Sequence, residues 1–96
     1  MGIVGYGDIG AECAKIAKKG FKMRVIGIKR NPESVNDKSK KYADEILGNE
    51  NLDYLLSQSD YVVNALPLVK DTIDLYNYEV FEKMKPSSIF INIGRG

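Results

Sequence analysis

Along this chain, two patterns of apolar and polar residues alternate, one typical of buried strands and one typical of helices. Short apolar runs rich in β-branched residues recur from one end to the other, and stretches with helical spacing lie between them. The apolar runs predict strands over Gly2–Val4, Arg24–Ile28, Glu45–Leu47, Tyr61–Leu66 and Ser88–Ile93. Because strands alternate with helices, we expect an α/β fold. Its core is predicted to be a doubly wound parallel sheet of about five strands with helices on both faces.

The helical stretches have definite predicted faces and ends. In the first helix the residues predicted to face the sheet are Ile9, Cys13, Ile16 and Ala17, and those predicted to face solvent are Glu12, Lys15, Lys18 and Lys19. Gly20 is expected to end this helix in a left-handed conformation, with Phe21 folding back on the last turn. The polar stretch 30–41 is predicted to be loop or short irregular helix. A brief helix is expected after Asn51, and another before Pro86.

Composition narrows the function classes. With 96 residues the chain forms one domain with a modest core, and its net charge of +1 does not suggest a nucleic-acid surface. No apolar run reaches the roughly 18 residues of a membrane span, and no leader is apparent, so we expect a cytoplasmic protein without a membrane partner. Cys13 is the single cysteine and histidine is absent, so neither a disulfide nor a Cys/His metal site is expected.

The stretch "IVGYGDIG" carries the first candidate chemistry. Its glycines have the spacing G-x-G-x-x-G between a predicted strand and a predicted helix, which is the context of a Rossmann-like dinucleotide-binding turn. The helix N-terminus would present N–H groups and a positive dipole end to phosphates. The predicted cofactor-binding residues of this turn are Gly5, Tyr6, Gly7, Asp8, Ile9 and Gly10. For Asp8, an N-cap or solvated side chain is the simpler interpretation.

The second strand ends in "GIKRNP", which bears on the choice of cofactor. A cofactor with a free ribose 2′-hydroxyl is usually bound by an acidic side chain at this place. Here Lys29, Arg30 and Asn31 offer positive charge and hydrogen-bond donors instead, which suits a 2′-phosphate. The sequence therefore predicts NADP as the cofactor, with NAD as the alternative.

Three stretches make the chain resemble the D-isomer-specific 2-hydroxyacid dehydrogenases, in particular their NAD(P)-binding domain and the glyoxylate and hydroxypyruvate reductases among them. They are "GIVGYGDIG" with "MRVIGIKRNP", "VVNALPLVKDT", and "MKPSSIFINIGRG". The resemblance implies that Arg95 binds the substrate carboxylate and polarises the carbonyl. It also implies a cofactor cleft lined by Ala65, Leu66, Pro67, Thr72, Ile93 and Gly94. The implied reaction is hydride transfer between the nicotinamide and a 2-keto or 2-hydroxy acid.

The chain lacks two features of that family. Members place a glutamate and a histidine beyond the arginine, and they carry a separate substrate domain. We therefore expect residues 1–96 to be a dinucleotide-binding domain, an incomplete fragment that lacks the substrate domain. Alone, it is expected to bind cofactor weakly and to be inactive, and the full-length protein is expected to be a homodimer.

Two other functions remain open at this point. The same fold could bind NAD(P) as a sensor or regulatory module without chemistry. A glycine-rich turn also begins S-adenosylmethionine-dependent methyltransferases, but these normally need an acid where Lys29 and Arg30 stand. A glutamate and a histidine downstream of Gly96 would favour the enzyme over the sensor.

Overall fold

A computed structural model describes residues 1–66 and 82–93. The five strands are β1 (Gly2–Val4), β2 (Ile26–Ile28), β3 (Glu45–Leu47), β4 (Tyr61–Asn64) and β5 (Ile89–Asn92). They pair in parallel in the order β3-β2-β1-β4-β5. The predicted parallel five-stranded sheet is thus confirmed, with β2, β4 and β5 shorter than the sequence pattern indicated.

Helices cover the sheet on both sides, as predicted. In the described part of the chain, the complete helices are α1 (Asp8–Phe21), α2 (Asp37–Lys40) and α3 (Leu52–Gln58), and two 3-10 turns lie at Pro32–Ser34 and Asn49–Asn51. Neighbouring residues of β1 point to opposite faces: Ile3 packs in one apolar cluster with α1, and Val4 packs in the other with α3. The fold therefore has three layers, helix on sheet on helix. Within the described ranges, no helix is long and apolar enough to cross a membrane.

The buried face of α1 differs from the predicted one. Ile9 and Ile16 are 62% and 60% exposed, and Cys13 is only half-buried. The residues that face the sheet are small ones: Gly10, Ala11, Ala14 and Ala17, of which only Ala17 was predicted to do so. A Cβ on Gly10 would lie 2.8 Å from the Gly5 carbonyl oxygen and 3.0 Å from the side chain of Ile3 in β1, so the helix approaches the strand and its turn too closely for larger residues. The spacing of the largest apolar residues was therefore a misleading guide to the face.

The end of α1 also differs from the prediction. The helix continues through Gly20, and the left-handed residue is Lys22, with φ of 53°. The Lys22 N–H donates to the Lys18 carbonyl at 3.1 Å, which is the hydrogen bond of an αL cap, and the Met23 N–H donates to the Ala17 carbonyl at 3.0 Å. Met23 packs against the apolar cluster, whereas Phe21 is 73% exposed. The prediction of a Gly20 cap with Phe21 folded back is wrong because the helix ends at Phe21 and the left-handed residue lies two positions after Gly20.

An ion pair joins the last turns of α1 to Asp44, the residue before β3. The Lys18 ammonium contacts the Asp44 carboxylate, which also accepts the Val25 N–H at 2.7 Å. These hydrogen bonds, the one from Lys18 first, hold the pKa of Asp44 below its ordinary value. A carboxyl whose pKa is lower in the folded state stabilises the fold above its unfolded pKa. That contribution is lost as the pH falls through the folded pKa.

We expect Asp44→Asn to lower the free energy of unfolding at neutral pH by about 0.5–1 kcal/mol, because the pair is partly exposed and screened. The difference from the wild type should shrink as the pH falls below the ordinary pKa of aspartate. Urea unfolding at a series of pH values measures it. Asp53→Asn is the matched control, since Asp53 pairs with Lys83 at 3.0 Å at a more exposed site. A pH-independent difference at Asp44 would contradict the expected role of its charge.

Candidate dinucleotide-binding site

The strand order places a crevice at the carboxyl ends of β1 and β4. From central β1 the chain passes to β2 and β3 on one side, and it later returns to β4 and β5 on the other. Loops leaving β1 and β4 therefore diverge, which is the topological switch point where open α/β sheets bind ligands. The glycine turn follows β1 at this edge, and the segment 65–66 follows β4.

Hydrogen bonds to the backbone fix the shape of the glycine turn. Gly5 has φ of 93°, in the region that favours glycine. The N–H groups of Gly5 and Tyr6 both donate to the Ile28 carbonyl at 2.9 Å, and the Gly7 N–H donates to the Gly5 carbonyl at 2.8 Å. The turn is thus tied to the end of β2, beside the segment that follows it.

The three glycines have different neighbours. A Cβ on Gly5 would lie 3.0 Å from the backbone nitrogen of Leu66, so the loop after β4 packs directly on the turn. Gly10 permits the close approach of α1 described above. A Cβ on Gly7 would have nothing within 4 Å. The space beside Gly7 is therefore open, and packing of the described residues does not require glycine there.

The first turn of α1 has no side-chain cap among the described residues. Gly7 occupies the N-cap position, and Asp8 is the first helical residue with an exposed side chain. Of the two interpretations of Asp8, the N-cap is therefore wrong and the solvated side chain agrees with the structure. The N–H groups that begin a helix have no partner within the helix, and no side chain of the described residues caps them here. Open space at Gly7 and uncapped N–H groups next to it fit the pyrophosphate of a dinucleotide.

Tyr6 turns inward from the glycine turn. Its side chain is 1% exposed and packs in the α1 cluster, and its hydroxyl donates to the Ser39 carbonyl at 2.7 Å. A Cβ on Gly27 would lie 2.7 Å from the Tyr6 ring, so the ring crosses β2 where only glycine leaves room. Both hydrogen-bond donors of Tyr6 are thus used inside the protein. The contact of Tyr6 with the cofactor stays a prediction.

The segment after β2 carries the predicted selectivity residues. Lys29 is half-buried and its N–H donates to the Leu47 carbonyl, whereas Arg30 and Asn31 are exposed. The Asn31 carbonyl accepts the N–H and the hydroxyl of Ser34, which closes a compact turn. Between positions 29 and 41, five basic residues stand against two acidic ones, in a chain whose net charge is only +1. The first two of these basic residues, Lys29 and Arg30, directly follow Ile28, whose carbonyl holds the glycine turn.

Two asparagines join the ends of β4 and β5. Asn64 and Asn92 are register partners, and the Asn64 amide donates to the Asn92 side-chain oxygen at 3.1 Å. The Asn64 side chain also accepts the Leu66 N–H at 3.3 Å, which turns the chain out of β4 before the predicted end. The sequence reasoning missed Asn64. An amide directly after the apolar residues "YVV" was the available signal, because a buried polar side chain needs partners.

The other predicted site residues divide between described and undescribed parts of the chain. Ala65 donates its N–H to the Val4 carbonyl at 2.9 Å, and Leu66 lies against Gly5. The Ile93 N–H donates to the Asn64 carbonyl at 3.0 Å, at the same edge of the sheet. The structure therefore brings Ala65, Leu66 and Ile93 to the edge that holds the glycine turn. Four predicted residues lie outside the described ranges: Pro67, Thr72, Gly94 and Arg95.

Comparison with known proteins agrees with this geometry. The family profile described as D-isomer specific 2-hydroxyacid dehydrogenase, NAD binding domain, matches residues 1–96. The chain belongs to this family. The predicted family and the predicted Rossmann-like fold are thereby confirmed. The profile also agrees that this chain corresponds to the family's NAD-binding domain.

Individual members of the family show how much of a whole protein this domain represents. The chain is 42% identical to a glyoxylate/hydroxypyruvate reductase B from Shigella boydii and 41% identical to a glyoxylate reductase from Pyrococcus furiosus. Both matches cover the whole chain, but only 28% and 27% of those relatives. The chain thus spans less than a third of their length.

Solved structures in the same family have the same fold. A D-isomer specific 2-hydroxyacid dehydrogenase from Xanthobacter autotrophicus, in complex with NADPH and MES, is similar with a TM-score of 0.82 and 33% identity, over 100% of this chain and 37% of that one. A D-mandelate dehydrogenase from Rhodotorula graminis gives a TM-score of 0.85 at 30% identity, over 99% of this chain and 27% of that one. The fold is therefore that of the family's NAD-binding domain.

Proposed function

We propose that this domain binds a nicotinamide dinucleotide for hydride transfer to or from a small 2-keto or 2-hydroxy acid. The observation that carries the proposal is the uncapped first turn of α1 beside the open space at Gly7. N–H groups at a helix N-terminus bind phosphate without needing a charged side chain. The named activities of the reductases that the chain resembles support glyoxylate or hydroxypyruvate as the substrate class.

Each part of the site has a role in this proposal. The backbone of the glycine turn holds the pyrophosphate, and Ala65, Leu66 and Ile93 form the neighbouring wall at the carboxyl edge. The nicotinamide supplies or accepts the hydride when it is bound. Arg95 binds the substrate carboxylate, a role that its motif implies by resemblance. A homodimer in the full-length protein and a cytoplasmic location belong to the same proposal.

We further propose NADP as the preferred cofactor. The supporting observation is the excess of basic residues between positions 29 and 41, with Arg30 and Asn31 exposed at the end of β2. Guanidinium groups bind phosphate through paired charge-assisted hydrogen bonds. The NADPH complex of the Xanthobacter autotrophicus protein is consistent with this choice.

We expect Arg30→Asp to reduce the preference for NADPH over NADH by about tenfold or more, because a charge-assisted contact contributes about 1.5–3 kcal/mol. Titration calorimetry with each cofactor at two salt concentrations measures the ratio, and the wild-type preference should shrink as salt rises. Lys22→Asp is the control, since it makes the same charge change at the far end of α1. An unchanged ratio in Arg30→Asp would show that Arg30 is ordinary surface charge.

A further inference from the structure

The segment 30–41 has few anchors to the rest of the domain. Within it, hydrogen bonds join residues no more than four positions apart, as from the Ser39 N–H to the Asn36 side chain at 2.8 Å. Among the described residues, the hydrogen bond from the Tyr6 hydroxyl to the Ser39 carbonyl is the one that ties this segment to a distant part of the chain. A second anchor is Val35, which is 5% exposed and packs in the same cluster as Tyr6.

Tyr6 therefore connects two parts of the proposed cofactor site. Its backbone belongs to the glycine turn and its ring packs against β2 at Gly27. Its hydroxyl donates to the carbonyl of Ser39 in α2. The segment it reaches holds Arg30 and the other basic residues that the preference for NADP rests on. Basic side chains that lie close together in one short segment repel one another. The segment therefore needs a contact with the rest of the domain to keep its position.

We propose that Tyr6 is a positioning residue for cofactor selection, holding the basic segment 30–41 where it meets the ribose 2′-phosphate through the hydrogen bond to Ser39. This inference rests on the proposed preference for NADP. Tyr6 acts through the segment and does not touch the cofactor with its hydroxyl. Burial raises the pKa of Tyr6 to about 12, so the hydroxyl keeps its proton and remains a donor at any ordinary pH.

Tyr6→Phe tests the inference, because it keeps the ring in the core and removes only the hydroxyl. Losing one hydrogen bond of this kind should weaken NADPH binding about three- to tenfold while NADH binding changes less than about twofold. Adenosine 2′,5′-bisphosphate should follow NADPH, and 5′-AMP should follow NADH, because the difference lies at the 2′-phosphate. Calorimetric titration of the whole chain with these four ligands gives the ratios.

A second variant loosens the same segment without touching Tyr6. Asn36→Ala removes the side-chain cap of α2, at an exposed position where unfolding of the domain is not expected. It should lower the preference for NADPH in the same direction. Tyr54→Phe is the matched control, because that hydroxyl bonds Arg24 and Glu45 at the opposite edge of the sheet. It should leave the ratio unchanged.

The outcomes separate this inference from the proposed function. A wild type that prefers NADPH, together with a reduced preference in Tyr6→Phe and Asn36→Ala, supports the positioning role. An undiminished preference in Tyr6→Phe overturns the role of Tyr6 and leaves the choice of NADP intact. Equal loss of NADPH and NADH affinity also overturns it, since that is the result of a merely structural change. A wild type without any preference overturns both.

Discussion

Replacing Gly7 by alanine should abolish most cofactor binding while leaving the domain folded. The methyl group would stand in the open space beside the uncapped first turn of α1, where we place the pyrophosphate. Displaced phosphates would lose charge-assisted hydrogen bonds of about 1.5–3 kcal/mol each, so affinity for NADPH should fall by more than about 30-fold. The free energy of unfolding should fall by less than about 1 kcal/mol, because no described residue lies within 4 Å of the new atom and alanine is a moderately poorer N-cap residue than glycine.

Two other glycines supply the controls for Gly7→Ala. Gly10→Ala should lower the free energy of unfolding by about 1–3 kcal/mol, because its Cβ would press on the Gly5 carbonyl oxygen at 2.8 Å. Gly20→Ala lies in the same helix with open space around it, so it should raise stability by about 0.5–1 kcal/mol and leave binding unchanged. Titration calorimetry and urea unfolding of all three variants give both quantities. Full NADPH affinity in Gly7→Ala would place the pyrophosphate elsewhere.

The sequence was a good guide to the sheet and to the place of the glycine turn. Runs such as "VIGI" and "YVV" stand out because parallel strands buried on both faces are nearly continuous in apolar character. The glycine spacing between a strand and a helix then located the turn at the carboxyl edge of β1. Family membership followed from the same stretches together with "NIGRG", which agrees with the profile match over residues 1–96.

The errors in α1 arise from close packing, which periodicity of large residues does not report. A helix that touches β1 through Gly10, Ala14 and Ala17 buries small residues, and Ile9 and Ile16 are left on its flank. Hydrophobic patterning of the sequence gives isoleucine more weight than alanine as an apolar residue. It therefore predicted that the exposed side of α1 with Ile9 and Ile16 faces the sheet.

Hydrogen bonds between distant parts of the chain could not be predicted from the sequence either. The bond from the Tyr6 hydroxyl to Ser39 spans 33 positions, and the pair of Asn64 and Asn92 spans 28. Both pairings depend on strand order and register, and no short stretch contains them. Tyr6 could thus be assigned to the turn from its position in "GYG", while the direction of its ring could not.

We expect this chain alone to show no measurable turnover with NADPH and glyoxylate or hydroxypyruvate. Hydride delivery to the keto carbon leaves an alkoxide that must gain a proton. A positioned acid typically accelerates such a step by about 10²–10⁴-fold, and the side chain most often used for it, histidine, is absent from these 96 residues. The loss corresponds to about 3–5 kcal/mol of barrier.

Solvent access adds a second reason for inactivity. Gly7, Asp8, Arg30 and Asn31 are all exposed at the edge where the cofactor is proposed to bind. Water is then not excluded from the reacting groups, and the keto acid is not held in a reactive pose, which can forfeit several further kcal/mol. The assay follows NADPH absorbance in a sample whose cofactor binding has first been measured, with Arg95→Ala as the matched variant. Steady turnover that disappears in Arg95→Ala would refute the expectation, and it would require an acid among the chain's own carboxyl, lysine or tyrosine side chains.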